Sequence, residues 1–327
     1  MYSINLLDLE VRGLNARSTA AAQGTKKNTL GRRLHNDWQI YAIMLLPLLW
    51  LLVFSYVPMY GVLIGFTKYN IVNGLPGSKW IGLDNFRRFF TTPSATATIY
   101  NTITLSVYSL LAGVPCPILL AVLLNECRNV GYKKTVQMIT YAPYFISTVV
   151  LVAMMMQMFD QRSGIINRII NSMGFKSINF MASKPLFKHM YVWSGIWQGT
   201  GFNAIIYLAA LSSVDVSQHE AAIIDGASRL QRVWYIDLPS LVPTMTILFI
   251  LNCGSIMNVG FEKVYLMQNS ANAQVSEVLS TYIYKLGLLN LDYGYSAAVN
   301  LFNSLVNFVL VVTVNTIARK MGGNSLW

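Results

Sequence analysis

Long apolar runs alternate with short polar stretches along this chain, at about 38–66, 99–125, 138–159, 189–212, 240–260 and 294–317. At about 1.5 Å per residue, each can cross a hydrocarbon core about 30 Å thick as a helix. The pattern therefore predicts six spans. In the second, Val114-Pro115-Cys116-Pro117 removes backbone donors and predicts a kink. The third opens on Tyr141-Ala-Pro-Tyr144 and ends in a Met-rich run, Met154 to Met158, which reads as adaptable packing. Between spans one and two, Leu83 to Phe90 (LDNFRRFF) predicts a short interfacial helix with Phe86, Phe89 and Phe90 on the apolar side and Arg87 and Arg88 in water. GIINRIINSMGF, between spans three and four, has the spacing of a short surface helix. Residues 261–293 read as an external segment with an amphipathic stretch at 275–289.

The polar stretch between spans four and five is the most structured of these interruptions. Ser217 with Glu220 has capping-box spacing, which predicts a helix starting near Gln218. Ser228 with Gln231 repeats the box, and Leu238-Pro239 closes the segment. Gly226, which would cost about 1 kcal/mol relative to Ala inside a helix, marks a turn between the two. Ala221, Ala222 and Ala227 leave one face of the first helix slender enough to seat in a groove on another protein.

Composition sharpens the class. The chain is 54% hydrophobic and 11% charged, as polytopic membrane proteins are. Its net charge of +11 is scattered between the apolar runs, with no basic stripe, so lipid headgroups rather than nucleic acid are the expected partner of many cations. The Lys and Arg count divides almost evenly between the two sides of the predicted topology, so charge alone does not orient the chain. The basic cluster Lys26, Lys27, Arg32 and Arg33 before span one, and Glu126, Arg128, Lys133 and Lys134 after span two, read as cytoplasmic. Arg319 and Lys320 close span six on that same side. No apolar h-region precedes Asp37, so no signal peptide is expected. Cys116, Cys127 and Cys253 are far apart, as are His35, His189 and His219, and neither set suggests a metal site.

The spans as placed hold no Asp, Glu, Lys or Arg, which disfavours an ion-coupled carrier built on intramembrane charges. No G-x-x-x-x-G-K-[ST] loop occurs either; Gly174-Phe-Lys-Ser177 is too short. Energy is then expected from a partner. Amide, hydroxyl and aromatic side chains inside or beside the spans suit a sugar path, hydroxyls meeting amides and ring faces meeting aromatics. The candidates are Tyr144, Ser147, Trp193, Trp197, Gln198, Asn203, Asn252, Ser255, Asn258, Asn300 and Asn303. Asn252, Ser255 and Asn258 fall at three-residue steps, which predicts one shared helical face. Each is equally suited to an interhelical hydrogen bond or an interfacial aromatic. Arg162, Arg168, Lys176, Lys184 and Lys188 make the segment before span four basic, fitting either a polyanionic sugar or headgroups.

Glu-Ala-Ala, three residues, Gly, nine residues, then Ile-x-Leu-Pro is matched without a gap by Glu220, Ala221, Ala222, Gly226, Ile236, Leu238 and Pro239, with Asp225 and Ala227 also in place. This resembles the EAA loop of the membrane subunits of binding-protein-dependent ABC importers. LDNFRRFF, the stretch from Asn101 to Glu126 and YAPYFIS at 141–147 are similar to the branch that moves oligo- and polysaccharides, alginate-type importers included. The resemblance covers nearly all of the chain after residue 38.

It implies an all-α, polytopic transmembrane helical bundle of about six spans with the type I ABC importer permease fold. The expected division is a cytoplasmic tail at 1–37, a permease domain at 38–320 with its coupling loop at 213–240, and a C-terminal tail at 321–327. The resemblance further implies a second, different permease chain, two cytoplasmic ATPase subunits that bind the ATP and Mg, and an external solute-binding protein. The chain itself would carry no cofactor and sit in a bacterial inner membrane with both termini cytoplasmic. The coupling residues by resemblance are the nine just named, and the cargo a saccharide, with an acidic, alginate-like one in view. A permease for another solute class, an ion-coupled secondary carrier and a membrane scaffold are the alternatives.

Overall fold

The computed structural model describes residues 38–320 and 325–326. The tail at 1–37 with its basic cluster and His35, and residues 321–324 and 327, lie outside the described residues. Contacts divide the chain into two units, residues 1–60 and 61–327. In the first, helix α1 (Trp38–Leu51) carries Pro47 and runs into a π-helical stretch, Leu52–Tyr56. No residue from 38 to 60 is buried. A helix apolar on every face with its backbone satisfied internally is what lipid solvation requires.

The second unit opens in the 3-10 stretch that ends at Phe66 and a small antiparallel hairpin, β1 (Thr67–Lys68) and β2 (Lys79–Trp80). Helix α2 (Asp84–Thr91) follows, then α3 (Pro93–Gly113) and α4 (Pro115–Asn125), separated by a break at Val114 where the two prolines withdraw their donors. Next come α5 (Val130–Tyr141), α6 (Thr148–Met158), α7 (Ile165–Ser172) and the 29-residue α8 (Lys184–Ser212). The polar loop forms α9 (Val216–Ile224) and the single turn α10 (Arg229–Arg232), which passes through a π-helical stretch at Val233–Asp237 into α11 (Leu238–Cys253). Three short helices, α12 (Phe261–Met267), α13 (Ala273–Ser276) and α14 (Leu279–Tyr284), lead to α15 (Tyr293–Lys320).

Four described stretches are long and apolar enough to cross a membrane: Trp38–Phe66, Pro93–Asn125, Arg229–Cys253 and Tyr293–Lys320. The number is six when each bent pair counts once, α5 with α6 at 98° and α8 with α9 at 71°. Span three is thus not the straight helix that its apolar run predicts. Pro143 stops α5, a 3-10 turn covers Ala142–Phe145, and α6 restarts under a cap in which Ser147 Oγ accepts from the Val150 N–H.

Three apolar clusters hold the second unit. Ala121 and Val122 of α4 meet Ala204, Tyr207 and Leu211 of α8 and Leu241 of α11. Leu105, Leu151, Val152, Phe187 and Val192 meet Val264 and Met267 of α12 and Val278. Phe89 packs with Tyr295 and Val299 of α15 and Leu279 of α14. Phe89 is fully buried, so α2 is anchored in protein rather than laid with all three phenylalanines at an interface. Arg88 explains the inward turn: it pairs with Asp292 at 2.7 Å and covers the Tyr295 ring at 4.2 Å, holding α2 against α15. Burying one such phenylalanine stabilises by about 1.5 to 3 kcal/mol.

The segment after span five also folds inward. Asn101 Nδ2 donates to the carbonyls of Gln274 and Glu277, the Leu279 N–H donates to Thr102 Oγ1, and the Met257 N–H donates to Asn307 Oδ1. These bonds satisfy irregular backbone that the bilayer could not. At the far side of α8, Gly201 lets the helix touch the Thr140 carbonyl of α5, where a Cβ would collide.

Candidate functional site

The loop after α8 is built by its own local chemistry. Asp215, not Ser217, caps α9: its carboxylate accepts from the Ser217 N–H at 3.0 Å, and the helix begins at Val216. An aspartate two residues upstream wins because it carries charge to the helix N-terminus, where four N–H groups lack partners. The Ser217 N–H, followed by its hydroxyl, holds the Asp215 carboxyl below the usual carboxylate range. The second predicted box is present, with Ser228 Oγ accepting from the Gln231 N–H and Gln231 Oε1 accepting from the Ser228 N–H.

Gly226 ends α9 in the left-handed region at φ 79°. The Ala227 N–H donates to the Ala222 carbonyl at 2.8 Å and the Gly226 N–H to the Ile223 carbonyl at 3.0 Å, the two bonds of a Schellman cap. Glu220, Ala221, Asp225 and Gly226 are exposed, Ala222 and Ala227 half-buried, and Ile224 is 86% exposed at the helix end. Glu220 makes no ion pair among the described residues, and neither does Asp225 with Arg229. Ile236, Leu238 and Pro239 run from this loop into span five.

Beneath the helix lies a charged cluster. His219 Nε2 stands 3.4 Å from Asp237 Oδ1, and Arg232 Nη2 stands 3.9 Å from Glu126 Oε2 at the end of α4. The Asp237 side chain is only 1% exposed, and neither of its oxygens accepts a hydrogen bond of good geometry among the described residues. A buried carboxylate depends on such charged neighbours to remain where it is. The cluster brings three pieces together: the end of span two, the helix α9 and the root of span five.

The second feature is a pair of adjoining cavities inside the unit, of about 290 and 280 Å³, that share Ser109, Gly113, Tyr191 and Asn203 in their linings. Asn252, Ser255 and Asn258 line the first and Gln198 the second. The three polar residues do meet, but not on one helical face, because α11 stops at Cys253 and a turn carries Ser255 and Asn258. Asn303 stands behind them, its Nδ2 donating to Asn258 Oδ1 at 2.9 Å. Gln198 also donates to the Ile146 carbonyl at the α5–α6 bend.

Other sequence candidates go elsewhere. Tyr144 stacks on Phe202 at 3.8 Å, Ser147 caps α6, and Trp193 Nε1 donates to Tyr108 Oη. Trp197 and Asn300 are exposed and line neither cavity. Of the basic set, Lys184 donates to Gln274 and Lys188 to Thr104.

The structure adds Ser106, Ser109, Tyr191 and Lys263 to the cavity linings. Ser106 and Ser109 are three apart on α3, a spacing visible in the sequence. Lys263 gave no such signal, since it lies in FEKVYLM outside any span. It is 8% exposed, its Nζ donating to the Tyr191 carbonyl at 3.0 Å and lying 4.9 Å from the Tyr191 ring. Burial pushes its amine down to about 8.

Residues 99–323 match the family described as "Binding-protein-dependent transport system inner membrane component". Protein LplB of Bacillus subtilis (strain 168) is 41% identical over 90% of this chain and 92% of its own length. The polygalacturonan/rhamnogalacturonan transport system permease protein YteP of the same organism is 38% identical over 92% of this chain and 94% of its own. Among solved structures, a chain of a bacterial alginate ABC transporter in complex with alginate pentasaccharide-bound periplasmic protein superposes with a TM-score of 0.85. It is 35% identical and covers 91% of this chain and 99% of its own length.

Proposed function

This chain belongs to the family of binding-protein-dependent transport system inner membrane components, and from that premise we propose that it forms half of a translocation path for an acidic oligo- or polysaccharide, driven through α9 by a partner ATPase. That it is an ABC importer permease for sugar or polysaccharide follows from the family and its relatives. The finer reading is ours. The observation that carries it is the amide- and hydroxyl-lined cavity pair with Lys263 in its wall and no acidic side chain in either lining. A relative named for polygalacturonan and a structural neighbour named for alginate support an acidic cargo.

In this reading Glu220, Ala221, Ala222, Asp225, Gly226 and Ala227 seat in a cleft on the ATPase, while Ile236, Leu238 and Pro239 pass its movement to span five. Support comes from the open face of α9, the exposed Ile224 and the cluster that brings the helix against the ends of spans two and five. A different permease chain supplies the other half of the path, two ATPase copies bind ATP and Mg, and an external binding protein delivers the sugar. Both termini face the cytoplasm in this arrangement. ATP-driven closure of the ATPases rocks the spans and exposes the cavity to the binding protein, a shift between two states of one assembly.

Reconstitution tests this. The complete assembly in proteoliposomes is expected to accumulate oligogalacturonate or oligoalginate only with binding protein outside and ATP at the ATPase side. Accumulation by this chain alone, or indifference to ATP, would overturn the reading.

A further inference from the structure

Resting on the saccharide reading above, we propose that Lys263 is the specificity residue of the cavity, the cation that receives a carboxylate of each acidic sugar unit as it passes. Its ammonium has three donors, and one is used, on the Tyr191 carbonyl. No carboxylate lies within ion-pair distance of it among the described residues, in contrast to Lys285, which pairs with Glu277 at 2.9 Å. An unpaired buried charge is expensive, and a chain that needed only packing there would do better with an apolar residue.

The surroundings are shaped for a visitor. A Cβ at Gly195 would stand 3.2 Å from Nζ, and one at Gly199 would stand 3.3 Å from Asn203 Nδ2, so both glycines keep the wall open beside polar donors. Gln198 and Asn203 share this lining, and the buried Ser106 hydroxyl of the adjoining cavity has no hydrogen-bond partner among the described residues. One cation among neutral donors and acceptors, with no carboxylate to compete, selects an anionic polyol. A charge-assisted hydrogen bond in such a site is strong enough to discriminate an acidic sugar from its neutral counterpart.

The test uses the complete transporter in proteoliposomes, with oligogalacturonate and its methyl ester as probes, the ester keeping the ring hydroxyls and losing the charge. Lys263→Gln is expected to lower oligogalacturonate uptake by roughly ten-fold more than ester uptake, and to retain assembly and binding-protein-stimulated ATP hydrolysis. Equal loss of both probes, or loss of neither, overturns the proposal. Where the wild type refuses the ester, Lys263→Arg decides: recovery of oligogalacturonate uptake supports a charge role, and a loss equal to that of the Gln variant overturns it. A wild type that moves the ester and rejects the acid overturns the Lys263 assignment and leaves the saccharide reading standing. A wild type that moves no saccharide overturns that reading itself.

Discussion

His219 Nε2 lies 3.4 Å from Asp237 Oδ1, and this contact sets the exposed helix α9 against the root of span five. Arg232 and Glu126 extend the attachment to the end of span two. A helix that only touched its neighbours through loops would bend when pushed. One packed directly on the spans carries a push into them.

Asp237→Ala is therefore expected to loosen this contact without altering the exposed face of α9. Weakened coupling between ATP hydrolysis and uptake is the predicted outcome, read by comparing the two rates in proteoliposomes. Normal coupling in this variant would remove the cluster from the account.

Asp215 gives α9 an acid limit. Its carboxyl is held below the ordinary range in the folded chain, so its contribution to the helix is complete above that range and disappears as pH falls through the lowered value. Hydrogen exchange of the α9 amides, corrected for intrinsic rates, is expected to accelerate in acid. In Asp215→Ala the exchange is expected to be fast throughout, with the acid dependence gone.

Asn303 positions Asn258 from behind the cavity wall. Asn303→Leu keeps the branched outline of the side chain and removes that donor, so uptake is expected to fall roughly five-fold, about the worth of one neutral hydrogen bond. Assembly and stimulated ATP hydrolysis should persist. Unchanged uptake would place Asn258 outside the path.

Phe89→Ala separates anchor from interface. Deleting a fully buried ring from the α2–α15 contact is expected to destabilise the fold by about 3 to 5 kcal/mol, seen as a large fall in melting temperature of the purified complex. A phenylalanine lying in lipid headgroups would give a much smaller change.

The apolar runs and the helix–turn–helix after α8 are legible because both signals are local. Apolar run length reports a span, and Glu220, Gly226 and Pro239 sit at fixed spacing in one stretch. Gly226 in particular needed only its own backbone to be understood, as its φ of 79° bears out. The 98° bend at Pro143 was hidden because the apolar run continues through it, and hydropathy does not register direction. Phe89 and Lys263 were misplaced or missed for a different reason. Phe89 packs on Tyr295, about 200 residues further along the chain, and Lys263 on Tyr191, about 70 residues back, and periodicity carries no long-range pairing. The cap at Asp215 shows competition between two adequate local signals, in which charge prevailed over the hydroxyl.

Gly226→Val tests the central claim most directly, because a β-branched residue is strained at a positive φ and yet meets no neighbour inside this chain. Co-purification of the ATPase subunits with the membrane-inserted variant is the measurement. The account predicts that the variant reaches the membrane in normal amount and loses most of the ATPase. Full ATPase recovery with wild-type stimulated hydrolysis would contradict the assignment of α9 as the place where force enters.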